Sequence, residues 1–424
     1  MQEEIIAAID FGSRKISASI GKVSDENDDM DIFAVESCTS LGMKKGIIDD
    51  EAKVRESVLS LLLELEKRTN KKVSDVSIGI SSRKVRITEI NLKTEINESI
   101  KKSDIRKLYK KALSYKKSVS ENERVIDAII NFYIVDGKVF DKNVLNWKAN
   151  SLEINFTLAI IDKDVIDKYY NIFENTKFNI KFIKLNIFSA KQIFLNKKNS
   201  IGEIVLIDIG AEVSDLAVFN NGIVEFVSSV PAGGSNISKD LSVATNLSYT
   251  ECDNFKKIYS GNYITLFNDN SVNENINVGT VSISKEIFYK VTNARIEDIL
   301  NYVNNQLKKT SHYDNICSII LFGNGLSYFE KVGEFSKSIL KKNVKVITNK
   351  ELGLRSSENI TSMAVLKDTE ELINVIGILK KVSIDNEALN NIKPIDAETL
   401  NQDNEKNEED TILTKVKNFF RKII

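Results

Sequence analysis

One short pattern occurs twice in this chain, about two hundred residues apart, and it constrains the fold more than any other feature. EEIIAAIDFGSRKISASIGKV (3–23) is two apolar runs broken by Asp10, Gly12 and Ser13, which reads as a buried strand, a tight turn and a return strand. A third strand is expected from Ile32 to Val35. An amphipathic helix follows from Glu51 to Thr69, with Val54, Val58, Leu61, Leu62 and Leu65 on one face. GEIVLIDIGAEVSDLAVFNNGIVEFVSSV (202–230) then repeats the order. An apolar run ends in Asp208, a turn comes at Gly210, and a second strand runs from Val213 to Phe219. Asn221-Gly222 signals a hairpin into a third strand, and a helix start is expected near Ser235. Two copies of strand, Asp-x-Gly turn, strand, strand and helix imply duplicated α/β domains facing each other across a cleft.

Composition narrows the chemistry available to such a cleft. His312 is the single histidine, so metal sites built on histidine and Ser-His-Asp hydrolysis are excluded. Cys38, Cys252 and Cys317 lack metal-type spacing and read as reduced thiols. Acidic and basic residues nearly cancel, to a formal net charge of −1, and nothing in that total points to nucleic acid as a partner. No apolar run is long enough to span a bilayer, and the first residues lack the order of a secretion signal. The chain is therefore expected in the cytosol, with any membrane contact made by an element lying on the surface.

Between the two copies, a region at about 87–161 interrupts the first domain. It holds a Lys-rich helical segment at 99–118 with Ile105, Leu108, Tyr109 and Leu113 as its apolar face. Its basic side reads as a solvated face, the alternative being contact with lipid or an acidic partner. After the second copy, a polar, Asn-rich stretch at about 260–282 suggests an inserted subdomain. A long helix is expected from Ser284 to Lys308, with Ile287, Val291, Ile299, Val303 and Leu307 in register, and 318–340 reads as strand, Gly-x-Gly turn, helix. From 383 to 410 the chain is poor in large apolar residues and rich in Asn, Asp and Glu, the composition of a linker. The last stretch, 411–424, changes character. Ile412, Leu413, Val416, Phe419, Phe420, Ile423 and Ile424 form one apolar stripe, and Lys415, Lys417, Arg421 and Lys422 supply the polar side. Such a helix suits the interface of an anionic membrane. Docking on its own domain is the other reading, which the acidic linker disfavours.

The turns suggest what the cleft holds. Backbone amides of the first turn, with Gly12 and Ser13, can cradle phosphates, Lys15 can neutralise them, and Asp10 can hold Mg²⁺ through its waters. Asp and Gly are common in any β-turn, so this motif alone does not decide. Asp208 and Gly210 supply the matching turn from the other half. A third glycine turn, Gly323-Asn324-Gly325, allows a flat base to approach the backbone closely. Asp253 and Lys256 share a helix face and suit either ribose hydroxyls or an exposed ion pair.

These residues carry a resemblance that covers essentially the whole chain. AAIDFGSRK, IVLIDIGAEVSDLAVF and SIILFGNG resemble the two phosphate motifs and the adenosine motif of actin-like ATPases. SLGMKKGIIDDEAKVRESVLSLL (40–62), VSDVSIGISS, INFYIVDG, VPAGGSNISKDL and ARIEDIL, in this order, are similar to segments of the FtsA family of bacterial cell-division proteins. The resemblance implies an actin-like (ribonuclease-H-like) α/β fold of four subdomains. Subdomain 1A would cover 1–86, continued at 162–199 and about 356–382, with 87–161 as subdomain 1C. Subdomain 2A would cover 200–236, continued at about 292–355, with 237–291 as subdomain 2B. It implies binding of ATP with Mg²⁺, self-association into protofilaments, tethering of FtsZ to the cytoplasmic membrane and recruitment of later division proteins.

By position, Asp10, Gly12, Ser13 and Lys15 match the first phosphate motif, Asp208, Gly210 and Ser214 the second, with Gly233 and Gly234 following it. Asp253 and Lys256 match ribose contacts, Gly323, Asn324 and Gly325 the adenosine loop, and Arg295 a basic position that binds the FtsZ C-terminal tail. Asp10 and Asp208 would serve the metal. One departure is clear: the usual Asp-Ile-Gly-Gly-Gly-Thr becomes Asp208-Ile-Gly210-Ala-Glu-Val213, which brings Glu212 toward a terminal phosphate and implies weak or absent ATPase activity. A pilus-assembly relative with the same core, and a sugar or acid kinase of the same fold, remain as alternatives.

Overall fold

The computed structural model describes residues 5–23, 31–195, 201–268, 274–347 and 359–377. The linker and terminal helix expected at 383–410 and 411–424 lie outside the described residues. The repeated pattern folds as two five-stranded sheets of the same strand order. Strands β1 (Ile5–Phe11), β2 (Lys15–Lys22) and β3 (Asp31–Thr39) form an antiparallel meander. A short hairpin, β4 (Met43–Lys44) and β5 (Ile47–Ile48), leads into helix α1 (Glu51–Thr69). Asp50 caps α1 by accepting the Lys53 amide at 3.2 Å, and Asn70 ends it in the left-handed region. All five apolar residues expected on its inner face are buried. Strand β6 (Asp75–Ile80) then pairs parallel with β1.

The chain next builds a separate antiparallel sheet from β7 (Val85–Ser99), β8 (Glu123–Val135), β9 (Lys138–Phe140) and β10 (Lys148–Asp162), in the order β7-β10-β8-β9. Helix α2 (Lys102–Leu113) covers one face of it, burying Ile105, Leu108, Tyr109 and Ala112. The helix is shorter than the 99–118 expected, because the Ile100 amide still donates to the Trp147 carbonyl beside β10 and Lys101 is extended. Helix α3 (Lys163–Phe173) and strand β11 (Asn179–Leu185) return to the first sheet and complete its order, β11-β6-β1-β2-β3.

Two short helices, α4 (Asn186–Ser189) and α5 (Lys191–Phe194), precede the second sheet. Its meander is β12 (Glu203–Ile209), β13 (Ser214–Asn220) and β14 (Ile223–Val230). Helices α6 (Gly234–Thr245), α7 (Tyr249–Tyr259) and α8 (Tyr263–Asn268) and a small hairpin, β15 (Asn275–Val278) with β16 (Val281–Ser284), follow. The long helix α9 (Lys285–Leu307) leads to β17 (Ile316–Phe322), α10 (Val332–Leu340) and β18 (Val344–Val346). Strand β17 pairs parallel with β12, as β6 does with β1, so the order β14-β13-β12-β17-β18 repeats the first sheet. Last, α11 (Ile360–Ile376) crosses back to pack on β1, β2 and β6 of the first sheet.

Two readings of the sequence are corrected. Strand β3 runs on to Thr39, because polar Ser37, Cys38 and Thr39 pair with β2 although they show no apolar alternation. In α9 the inner face is Phe288, Thr292, Ile296, Ile299, Val303 and Leu307, while Ile287 is 37 % exposed, one position off the buried stripe.

A buried charge cluster fixes the inserted sheet to the rest. Lys184 of β11 lies 3.1 Å from Asp127 of β8 and 3.6 Å from Asp368 of α11. The Tyr109 hydroxyl of α2 donates to Asp127 at 3.3 Å, and Ser189 and Gln192 donate to Asp368 at 3.0 and 3.2 Å. Burial would lower the Lys184 ammonium, but the two aspartates outweigh it and hold it above its ordinary value.

Candidate functional site

Both Asp-x-Gly turns open on one cleft of about 500 Å³ between the two large sheets. Asp10 is the next-to-last residue of β1, opposite Ser17, and Asp208 the next-to-last of β12, opposite Asp215, so the duplicated register delivers carboxylates to equivalent places on the two walls. The lining includes Asp10, Gly12, Ser13 and Lys15 from one half, and Asp208, Gly210, Gly234, Asp253, Lys256, Gly323, Asn324 and Gly325 from the other. Ser214 and Gly233 are not part of it. The Ser214 side chain is buried in β13 and donates to the Ala232 carbonyl at 2.8 Å, and Gly233 packs beneath the second turn against the Gly210 carbonyl.

The glycines are required by contact between loops. A Cβ on Gly325 would sit 2.4 Å from the Gly210 carbonyl oxygen, and one on Gly323, where φ is +93°, would sit 2.2 Å from Asp208 Oδ1. The Gly325 amide donates to Ile209 O at 2.7 Å, while the amides of Gly234 and Ser235 at the start of α6 donate to Gly210 O and Ala211 O at 3.0 and 2.7 Å. These bonds lock the second turn, the α6 start and the third glycine loop into one backbone cradle. On the opposite wall Ser13 Oγ accepts the Gly46 amide at 2.9 Å, and Lys15 donates to Asn359 at the head of α11 at 3.0 Å.

Electrostatics mark the cleft floor. Burial pushes the Asp10 carboxyl up from 3.8 to about 6, against the pull of Lys15 and of Asn186, which donates to it at 2.7 Å. Burial likewise takes Asp215 to about 6 and Asp208 well above the usual range, the latter helped by the negative charges of Asp215 and Asp10. Asn186 Oδ1 is buried with no protein partner. Higher on the wall, Asp253 and Lys256 are not the exposed pair that spacing alone allowed. They meet at 2.8 Å, nearly buried, and Lys256 donates its other two protons to Gly234 O and Ser238 Oγ. Burial alone would raise Asp253, but Lys256 outweighs it and holds the carboxyl well below its ordinary value.

A protein-family model described as "Cell division protein FtsA" matches residues 205–365. The FtsA of Bacillus subtilis is 24% identical over 370 residues, covering 86% of this chain and 83% of that relative. The FtsA of Enterococcus hirae is 21% identical over 440 residues, covering 98% of both. The chain is thus similar to cell-division proteins of the FtsA family over most of its length. Its fold is actin-like: a solved PilM–PilN type IV pilus biogenesis complex superposes with a TM-score of 0.57 at 10% identity, covering 88% of this chain and 99% of that one.

The altered second turn behaves differently from its sequence. Glu212 does not line the cleft; its carboxylate accepts the Lys45 amide at 2.9 Å and lies 3.6 Å from Lys239. The charge expected beside a terminal phosphate is thus turned toward the β4–β5 hairpin of the other half. Arg295 sits on α9, ion-paired with Asp240 and 3.5 Å from Asp298. Sequence reasoning missed Asp215, Asn186 and Arg14 in the cleft. Asp215 had a signal, a lone carboxylate inside the apolar run of β13; Asn186 had none, because it reaches the floor from a short helix far from either turn.

Proposed function

We propose that the cleft binds ATP with Mg²⁺, and that the chain acts in cell division by polymerising, tethering FtsZ to the cytoplasmic membrane at the division site and recruiting later division proteins. The observation that carries the nucleotide reading is the meeting of both Asp-x-Gly turns and the third glycine loop around one cleft. The residues present fit a magnesium ion. Among the described residues no three His, Cys, Asp or Glu side chains converge as direct ligands. Mg²⁺ keeps much of its water shell and is commonly shared with phosphate oxygens, and Asp10, Asp208 and Asp215 with the unpartnered Asn186 Oδ1 supply acceptors for that water. The ion would add positive charge against the triphosphate. The chain's own residues bind and orient: the amides of the two turns face the phosphates, Lys15 adds charge, and Gly323 and Gly325 keep the base pocket open. The altered 211–213 segment supports weak or absent hydrolysis, because two glycines and a hydroxyl of the family pattern are missing. Saturable uptake of a fluorescent ATP analogue with Mg²⁺ tests the site, and no binding at millimolar ligand overturns it.

In this reading the two large sheets belong to subdomains 1A and 2A, the β7–β10 sheet is subdomain 1C, and α6–α8 with the small hairpin lies in 2B. The division role is favoured over pilus assembly because the curated relatives are named for cell division along most of their length, whereas the pilus likeness speaks to fold. No described helix is long and apolar enough to cross a membrane, and the membrane contact proposed is the amphipathic stretch 411–424. Burying one large side chain contributes about 1.5–3 kcal/mol and each basic residue near an anionic leaflet about 1 kcal/mol. Ordering the helix costs on the order of 1 kcal/mol per residue, so a monomer binds weakly and a filament gains by multivalency. Phe420→Glu is expected to cut co-sedimentation with anionic liposomes at least about tenfold; undiminished pelleting shows a different anchor. Arg295→Glu is expected to weaken capture of the FtsZ C-terminal peptide about tenfold or more in fluorescence anisotropy, and unchanged affinity removes Arg295 from that interface.

A further inference from the structure

One side chain spans the mouth of the cleft. Arg14, at the tip of the β1–β2 turn, lies with its guanidinium 4.9 Å over the ring of Tyr249 on α7 and donates to the Tyr249 hydroxyl. The same guanidinium stands 3.5 Å from the Asp253 carboxylate. The Tyr249 hydroxyl donates onward to Ser235 Oγ at 3.3 Å, in the first turn of α6. A residue of the first half is thereby tied to two helices of the second, above the carboxylate floor. Arg14, Ser235, Asp253, Lys256 and Lys257 all line the cleft.

The tie is lopsided in charge. Asp253 already pairs with Lys256 at 2.8 Å and with Lys257 at 2.9 Å, and accepts Ser238 Oγ at 2.8 Å. Arg14 is the third cation on one carboxylate, and its bond there is the longest of the four. The crowding registers on Lys256, lowered first by burial and further by Arg14 and Lys257 against the pull of Asp253. A guanidinium in a positive surplus, half exposed and adjacent to a phosphate-type turn, has a better partner in a phosphate chain. Two parallel N–H···O bonds to phosphate match its planar fork, whereas the aspartate offers it one long contact.

We propose that Arg14 is a phosphate-reading clasp, which holds the mouth shut across Tyr249 and Asp253 when no ligand is bound and hands its guanidinium to the phosphates of an entering nucleotide. The proposal rests on the nucleotide reading of this cleft and adds a specificity to it: the site distinguishes phosphorylated ligands from the bare nucleoside through Arg14. The transfer also makes release of a nucleotide slower than release of a nucleoside, because Arg14 must leave the phosphates first.

The test measures binding of fluorescent adenosine, ADP and ATP analogues to the full-length protein, its Arg14→Ala and Arg14→Lys variants, and Tyr249→Phe. Arg14→Ala is expected to weaken ADP and ATP at least ~10-fold, with faster dissociation, and to leave adenosine within about twofold. Arg14→Lys, which keeps the charge and loses the fork, is expected to fall between. Tyr249→Phe, which removes the hydroxyl that Arg14 donates to and keeps the ring and the guanidinium, is expected to leave ADP as tight as in the parent or tighter. Equal weakening of adenosine and ADP by Arg14→Ala, or no weakening of either, overturns the clasp while the parent's nucleotide binding stands. Failure of the parent to bind any of the three overturns the nucleotide reading and the clasp together.

Discussion

The Asp208→Asn protein is expected to melt at a higher temperature than its parent near neutral pH and to lose Mg²⁺-dependent ATP binding. Three buried carboxylates share the cleft floor, and each is pushed upward: Asp10 and Asp215 from 3.8 to about 6, Asp208 well above the usual range. A rise from 3.8 to about 6 corresponds to about 3 kcal/mol per group set against the ionised form at neutral pH. A carboxyl raised in the folded state favours folding while protonated. That contribution is complete below the unfolded value near 3.8 and is lost as pH climbs through about 6. In this respect the ligand-free protein is therefore most stable below about pH 4 and loses stability up to about pH 6, and that loss is the stress that the neutral amide of Asp208→Asn relieves. Magnesium and its water need the ionised carboxylates, so Mg–ATP affinity is expected to rise across the same pH window in the parent. Thermal melts and nucleotide titrations at about pH 5 and pH 7.5 read both effects. A variant that melts lower than its parent on the neutral side, or one that still binds Mg–ATP, contradicts this account of the floor.

Removing the cation from the other buried cluster has the opposite outcome. Lys184→Met is expected to destabilise the protein by about 3–5 kcal/mol, because Asp127 and Asp368 are left facing each other with no countercharge. Burial already raises Asp127, and Lys184 is the largest influence pulling it back. Without it Asp127 favours protonation still more, so the deficit is largest at neutral pH and shrinks as pH falls toward its raised value. Adding Asp127→Asn to Lys184→Met removes one surplus charge and is expected to restore a substantial part of the loss. Urea unfolding at two pH values measures the difference, and a deficit that does not shrink in acid excludes charge as its cause.

The parts of this molecule legible from sequence were those written in local periodicity. The five-residue face of α1, the first hairpin and the Asp208 turn follow from spacing alone, and the second copy made the first interpretable. What escaped was set by packing between distant segments. Ile287 looks as apolar as Phe288, and only the neighbours of α9 decide that Phe288 is inside. Thr39 belongs to a strand because Lys15 pairs with it. Glu212 carried a warning about the phosphate site on paper, and the fold diverts it to the Lys45 amide, a residue 167 positions away. Asn186 reaches Asp10 across 176 positions, with no motif to announce it. Residues whose role depends on the second wall of a cleft have no signature on the first.

Helix α11 is the last segment of the described chain, yet it covers the sheet that begins at Ile5. Gly79 of β6 has no room for a Cβ because Val365 of that helix lies 2.6 Å from where it would be. During synthesis on the ribosome, the opening strands therefore emerge hundreds of residues before the helix that shields them. The second sheet, whose strands and α6–α10 are contiguous, can mature while the first still waits with its apolar face bare. Such a chain is most exposed to aggregation late in translation, and a nonsense mutation before residue 360 is expected to yield insoluble product even though both strand meanders are intact.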